Sequence, residues 1–376
     1  MMTLTDDQRM LQDTVRPFMA EEGAIKTQLR HWRDIGCEDG FGHGLWKQFA
    51  ELGLTGILIP EAQGGAGLGQ VEAGVVLEEI GRNLTPSPYL MTSVAAVRAL
   101  EGSAQAERWL PGIGAGETVA ALAIDEGRHH DPASIALEAR RSGNGFSLNG
   151  AKQFVVQGAS ADVILVAART AGSAGETDGL TLFAIDRDAK GLDIDNVALT
   201  DSSKASRLTF NNVEVDADAV VGEVDGGWTP LSRALNAGRA GAASELVGVA
   251  AGASDMTFEY LKQRKQFGKL IGEYQALQHR AAHLYGEIEI ARAVALKAAQ
   301  LLDAGDPRAE LMTSVAKTKA ARTAALAVQE GVQMHGGIGM TDEHDIGLYM
   351  KREIVLGELF GGPRYHSNRV AELSGY

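Results

Sequence analysis

The sequence predicts an α+β protein of three successive segments: an all-α N-terminal domain at 1–115, a middle β domain at 116–225 and a C-terminal helical bundle at 226–376. Three observations predict it. The chain has 376 residues, enough for two to three folded units at roughly 150 residues each. Hydrophobic spacing changes from a helical to a strand-like period after about Gly114, and back after Gly226-Gly227. Strands and helices do not alternate, which argues against a doubly wound nucleotide fold.

In the first segment Leu4, Met10, Leu11, Val15 and Phe18 recur at spacings compatible with one helix face, with Thr5 or Asp6 placed to cap it. Further helices are expected at 45–52, 70–81 and 88–100. The middle segment holds short β-rich runs at 119–124, 146–156, 163–168, 180–185 and 207–215. Gly143-Asn144-Gly145 and Asn149-Gly150 punctuate them as turns, and the length suits a small barrel or sandwich. The last segment is rich in alanine and predicts long helices at 230–266, 274–302 and 308–334, then a shorter one at 345–356. With loops at 267–273 and 304–307 these four form an antiparallel bundle.

Composition excludes several functions. Apolar residues at 45% and charged ones at 22% support a substantial core. Lys plus Arg against Asp plus Glu is 35 − 49 = −14, and no basic run offers a stripe for a nucleic acid. Cys37 is alone, so neither an internal disulfide nor a Cys-rich metal centre is expected, and a reducing compartment fits. The polar, acidic start and the lack of any run of about 18 uncharged apolar residues point to a cytoplasmic protein without a membrane partner.

The usual chemical motifs are missing. The string Gly64-Gly65-Ala66-Gly67-Leu68-Gly69 lacks both the G-x-G-x-x-G spacing and a βαβ setting. His279, His283 and Glu287 lie four apart on one helix, yet the Arg-Ala-Ala between the histidines lacks the general-base Glu of a zinc protease, so packing or surface roles are expected and no metal. There is no G-x-S-x-G elbow and no Walker loop, which sets aside ordinary hydrolase and kinase chemistry.

Four strings carry a resemblance. They are Leu52-Gly53-Leu54 followed by Pro60-Glu61-Ala62-Gln63-Gly64-Gly65-Ala66-Gly67; Asn149 to Gly158 followed by Ala161-Asp162; Arg264-Lys265-Gln266-Phe267-Gly268-Lys269 followed by Gln275-Ala276; and Gln333-Met334-His335-Gly336-Gly337-Ile338-Gly339-Met340-Thr341. Over nearly the whole chain the sequence resembles the acyl-CoA dehydrogenase family of flavoproteins. That resemblance implies FAD as cofactor, an acyl-CoA substrate oxidised at Cα–Cβ in lipid breakdown, whether of fatty acids or steroids, an electron-transfer flavoprotein as acceptor, and a homo- or hetero-oligomer built as a dimer of dimers. It implies FAD contacts at Phe154, Val156, Arg264, Gln266, Phe267, Ile271, Gln275, Gln333, Met334, Gly336 and Gly337. Phe154 and Val156 stand where the family has Trp and Thr beside the flavin ring; Val156 lacks the hydroxyl, and its backbone amide is the substitute. Arg264 offers a planar, always-charged fork to a pyrophosphate, and Gly336-Gly337 lets an anion approach the backbone. The same two glycines also read as a cap on the preceding helix.

Two departures bear on activity. The family's carboxylate base lies in a Tyr-Glu-Gly-Thr-like string, and ungapped alignment puts Phe360 at that position. Glu358, two residues away, is the candidate base only if the loop is re-registered. The alternative base position, just before an Arg on the first long helix, is Gly238, ahead of Arg239. Glu245 is two turns further, about 10.8 Å, and reads as packing. Arg239 is placed near the substrate thioester, against the other reading of a salt bridge with Glu245 or Asp255. The second departure is Ile124-Asp125-Glu126-Gly127-Arg128-His129-His130-Asp131, which replaces a flavin- and substrate-binding string; Asp125 there needs a compensating cation, with Arg128 the candidate. Three readings follow: an acyl-CoA dehydrogenase acting alone or as one subunit of a heteromer, a non-catalytic FAD-binding partner of a paralogous catalytic subunit, and a flavin oxidase or monooxygenase on the same fold.

Overall fold

The computed structural model describes residues 2–376. Helix α1 (Asp6–Glu21) is opened by Thr5: Thr5 Oγ1 accepts the Gln8 amide at 3.3 Å while Gln8 Oε1 accepts the Thr5 amide at 3.0 Å. It buries Val15 and Met19. Met10, expected on that face, is exposed because five residues at about 100° each carry it well round the helix from Val15. Next come α2 (His31–Asp34) after a π-helical turn at Lys26–Arg30, then α3 (His43–Glu51) and α4 (Gln70–Asn83). The helix expected over 88–100 is π-helical at Leu90–Ala96 and closes as α5 (Val97–Leu100), followed by α6 (Gln105–Gly114), which the sequence reading lacked.

Strands β1 (Ala120–Ala123), β2 (Glu138–Ser142), β3 (Gly145–Val156), β4 (Val163–Arg169), β5 (Leu180–Asp186), β6 (Leu192–Ala198), β7 (Lys204–Val215) and β8 (Val220–Val221) form one sheet. Its order is β6-β7-β3-β2-β4-β5-β8, with β1 parallel to β4. Its core is built by Leu148, Val155, Ile164, Val166, Phe183, Ile185, Leu208 and Phe210. Strands β2 and β6 were not expected. The first reads Glu-Ala-Arg-Arg-Ser, without apolar alternation, and the second is a largely exposed edge whose Asp193 and Asp195 discourage further pairing.

The remaining helices are α7 (Trp228–Gln263), α8 (Gln275–Asp303), α9 (Ala309–His335), α10 (Ile346–Glu358) and α11 (Pro363–Leu373). Helix α7 stops short of 266 because β9 (Lys265–Gln266) and β10 (Lys269–Leu270) form a hairpin there. Helix α11 was hidden behind Gly361-Gly362-Pro363, which reads as a loop; proline suits the first turn, where its missing N–H has no intrahelical acceptor. No helix among the described residues is long and apolar enough to cross a membrane.

Packing gathers the chain into two units, one of the N-terminal stretch through His31 with Gln70–Pro86 and Arg239–Tyr376, the other of Trp32–Gly69 with Ser87–Gly238. In the first, α4 and α7 cross backbone to backbone. A Cβ at Gly248 would overlap the Glu78 carbonyl oxygen, and one at Gly81 the Glu245 carbonyl oxygen. Ion pairs flank this crossing: Arg352 Nε donates to Glu245 at 3.0 Å and Arg292 Nε to Glu78 at 2.9 Å.

Candidate functional site

In the first unit, the end of α7 runs into the hairpin of β9 and β10, which turns at Phe267 (φ 51°) and Gly268 (φ 84°). Positive φ at both central residues matches the tight two-residue turn that follows strand twist. Phe267 is 91% exposed, an apolar ring held out on a conformation few such residues adopt. Behind the hairpin Leu261, Ile271 and Met334 form a small core, so the last turn of α9 is packed against the hairpin base. Ile271 and Met334 are thus buried, whereas Arg264, Gln266, Phe267, Gln275, Gln333, Gly336 and Gly337 are exposed. Neither Arg264 nor Lys265 has an ion-pair partner among the described residues. Gly336 (φ 67°) donates its amide to the Val332 and Gln333 carbonyls and so caps α9; where a Cβ would stand on Gly336 or Gly337 the space is open.

The turn between α10 and α11 is pinned from two helices. Lys317 on α9 is fully buried, and its Nζ donates to Gly357 O at 2.7 Å and to Gly361 O at 3.3 Å. His366 Nε2–H donates to Phe360 O at 3.1 Å, with Nδ1 left to pair with Ser314 Oγ at 3.3 Å. Phe360 is buried at φ 59° and Gly361 lies at φ 104°. A Cβ at 361 would collide with the Tyr365 ring and crowd His366. Glu358 ends α10, exposed, with its carboxylate against Gly362. Arg239 is buried, with Nη2 3.2 Å from Tyr365 Oη and its guanidinium 5.6 Å from that ring's centre. The salt-bridge reading of Arg239 does not hold: Glu245 is taken by Arg352 and Asp255 by Arg82.

Burial pulls the Lys317 amine down to about 7, with Glu358 and Glu353 opposing and Arg239 assisting. A neutral amine has two N–H donors, which the two carbonyls satisfy. Unfolded lysine titrates near about 10.4, so the stability linked to Lys317 is complete above that value and is lost as pH falls to about 7. The melting temperature of the protein relative to its Lys317→Met variant is therefore expected to rise from pH 7 to pH 9 in scanning calorimetry. Parallel curves for the two proteins would rule out a depressed Lys317.

In the β unit, the β3–β7 register passes from Lys152↔Leu208 to Val155↔Ser206, a bulge that throws out Phe154 at φ 53° and 58% exposure. Val156 is half-buried opposite Ala205. The bulge is tied to the divergent segment, since Gln153 N donates to Asp125 O at 2.7 Å. Both adjacent carboxylates of that segment, Asp125 and Glu126, have partners. His130 Nδ1 lies 3.0 Å from both Asp125 oxygens, so the place expected for Arg128 beside Asp125 is taken by the His130 imidazole. Buried Lys152 donates to Glu126 at 2.7 Å and to Ile124 O at 2.9 Å, and Glu126 also accepts the Ala136 and Leu137 amides.

Lys317, Lys152 and the Asp125–His130 pair escaped sequence reasoning. Lys317 had a signal: it falls on the stripe Thr313, Ala316, Ala320 and Ala324, otherwise small and buried. Of the three spaced residues on α8, Glu287 is paired with Lys319, and no group of three metal-binding side chains occurs among the described residues.

Comparison with known proteins gives consecutive matches to the acyl-CoA dehydrogenase N-terminal domain over 5–117, middle domain over 121–213 and C-terminal domain over 225–372. Across 371 residues the chain is 32% identical to the cyclohex-1-ene-1-carbonyl-CoA dehydrogenase of Syntrophus aciditrophicus, covering 96% of this chain and 87% of that one. Among solved structures it is similar to a variant of the Tcur3481-Tcur3483 steroid ACAD, with a TM-score of 0.88 at 31% identity over 99% of this chain and 98% of the other. Its fold also matches the ChsE4-ChsE5 complex from Mycobacterium tuberculosis, with a TM-score of 0.90 at 24% identity over 100% of this chain and 99% of that one. Three domain matches in order, together with identity along almost the full length, establish that the chain belongs to the acyl-CoA dehydrogenase family of FAD-dependent oxidoreductases.

Proposed function

We propose that this chain is the supporting subunit of a heteromeric acyl-CoA dehydrogenase, presenting Arg264 and the Gly336-Gly337 turn to FAD while a paralogous partner supplies the catalytic carboxylate. One contrast carries the reading. Positions 238 and 360 bear no carboxylate, and the space beyond the neighbouring Gly361 is filled by Tyr365 and His366. The surface around Arg264 is open, exposed and unpaired.

The residues present fit a dinucleotide. Arg264 would hold a pyrophosphate through its fork, Gln266, Gln275 and Gln333 offer amides beside it, and Phe267 offers an aromatic face. In the β unit, exposed Phe154 is the side chain that would cover a flavin ring, and the Val156 amide takes the part of the family's hydroxyl. FAD supplies the hydride acceptor. The proton must go to a carboxylate, which in this reading another chain provides. Thioesters of ring-bearing acyl groups are candidate substrates in this reading, because two relatives are named for a cyclohexene acid and for steroids, beside short or branched acyl thioesters, for which a 30% identical relative is named. An electron-transfer flavoprotein is the acceptor this reading assigns.

A second reading makes the chain complete in itself, with Glu358 as base; its carboxylate already sits at the turn, against Gly362. Anaerobic titration with a panel of straight-chain and ring-bearing acyl-CoA thioesters separates the two. Purified alone, the chain is expected to retain flavin poorly and never to bleach it. Near-stoichiometric bleaching by the chain alone, abolished in Glu358→Gln, would overturn the supporting role and make Glu358 the base.

A further inference from the structure

His335 directly precedes the Gly336-Gly337 turn and is 3% exposed. Its ring packs against Tyr260, at 4.5 Å between centres, and His344, at 4.3 Å, and those two are 6.5 Å from each other. Nδ1 donates to Gly331 O at 2.7 Å, which fixes the tautomer and leaves Nε2 as the bare nitrogen. Nε2 is buried without a hydrogen-bond partner among the described residues. A proton there would place an N–H and a charge where nothing accepts them, an unfavourable burial.

Tyr260 connects this ring to the anion-facing arginine. It lies one turn before Arg264, whose amide donates to Tyr260 O at 2.9 Å. We propose that His335 is a positioning residue which, as neutral imidazole, locks the Gly336-Gly337 turn to the Arg264 end of α7, and that its protonation releases the turn and weakens this chain's hold on a dinucleotide phosphate. The phosphate part rests on the flavin-facing reading of the surface; the lock does not.

Burial holds the His335 imidazole below the ordinary histidine range, the Gly331 bond opposes this and His344 adds to it. The titratable groups around the ring are Tyr260 from α7 and His344 ahead of α10. His344 is itself lowered by burial, with Asp345 pulling it up and Arg30 pushing it down. Because the folded value is depressed, the lock is complete above about pH 6.5 and is lost as pH falls toward that depressed value, by up to about tenfold in the opening equilibrium per pH unit.

Hydrogen exchange on the purified full chain at pH 5.5 and 7.5, corrected for intrinsic rates, tests this with His335→Phe, which keeps the stack but cannot titrate, and His335→Ala, which loses it. Protection over 336–341 is expected to fall severalfold at pH 5.5 in the natural chain, to stay constant with pH in His335→Phe, and to be low at both pH values in His335→Ala. Equal protection at the two pH values in the natural chain overturns the lock. So does an acid loss that persists in His335→Phe, which would assign the titration to His344. If the lock behaves as expected but FAD added to the chain assembled with its catalytic partner changes exchange at neither 264–271 nor 333–340, the flavin-facing reading fails while the lock stands.

Discussion

Arg264→Ala is expected to lower flavin retention in the assembled dehydrogenase by about 10- to 150-fold, the equivalent of about 1.5–3 kcal/mol for charge-assisted hydrogen bonds to a phosphate. Melting temperature of the flavin-free protein is expected to stay within error, because Arg264 has no ion pair to lose among the described residues and stands exposed. Arg264→Lys keeps the charge but not the two-pronged geometry, so an intermediate loss is expected. The measurement is the ratio of flavin to protein after exhaustive dialysis, read from the visible spectrum beside a thermal melt. An Arg264→Ala protein that keeps its flavin would remove Arg264 from the binding surface. One that melts early would show that the residue holds the hairpin and not the cofactor.

Gly248→Ala carries the largest expected cost in stability, about 3 kcal/mol, at the upper end of what overpacking usually costs. The added methyl meets the Glu78 carbonyl, a backbone atom that cannot rotate away, so α4 and α7 must separate. Gly81 makes the reciprocal contact, and the separation would strain the pairs of Glu245 with Arg352 and of Glu78 with Arg292. Helix α7 also carries Arg239 and Tyr260 and leads into Arg264, so the damage reaches the binding surface. Gly286→Ala on α8 is the control: its Cβ meets nothing, and alanine in a helix is worth up to about 1 kcal/mol over glycine. Urea denaturation of both variants checks the pair, and equal midpoints for Gly248→Ala and the natural chain would show that the crossing is looser than its geometry implies.

The α+β order of helices, sheet and helices was legible in the sequence, because periodicity, caps and turn glycines are relations among residues a few positions apart. Thr5 caps α1 within reach of Gln8, and the run from Arg264 to Lys269 turns at Phe267-Gly268 for local steric reasons. Where the local signal was weak the reading failed: β2 lacks apolar alternation, β6 is an exposed edge, and Pro363 conceals a helix start. The absence of a carboxylate at 238 and 360 was likewise plain from residue identity alone.

What tertiary structure decided is which groups meet. Glu245 finds Arg352 across 107 positions, Lys317 finds Gly361 across 44, and Lys152 finds Glu126 across 26. The sequence offered Arg128 to Asp125, and the fold supplied His130. Buried charges and carbonyls pair with whatever the packing of distant elements brings within about 3 Å, and that distance is set by the fold as a whole rather than by any local pattern.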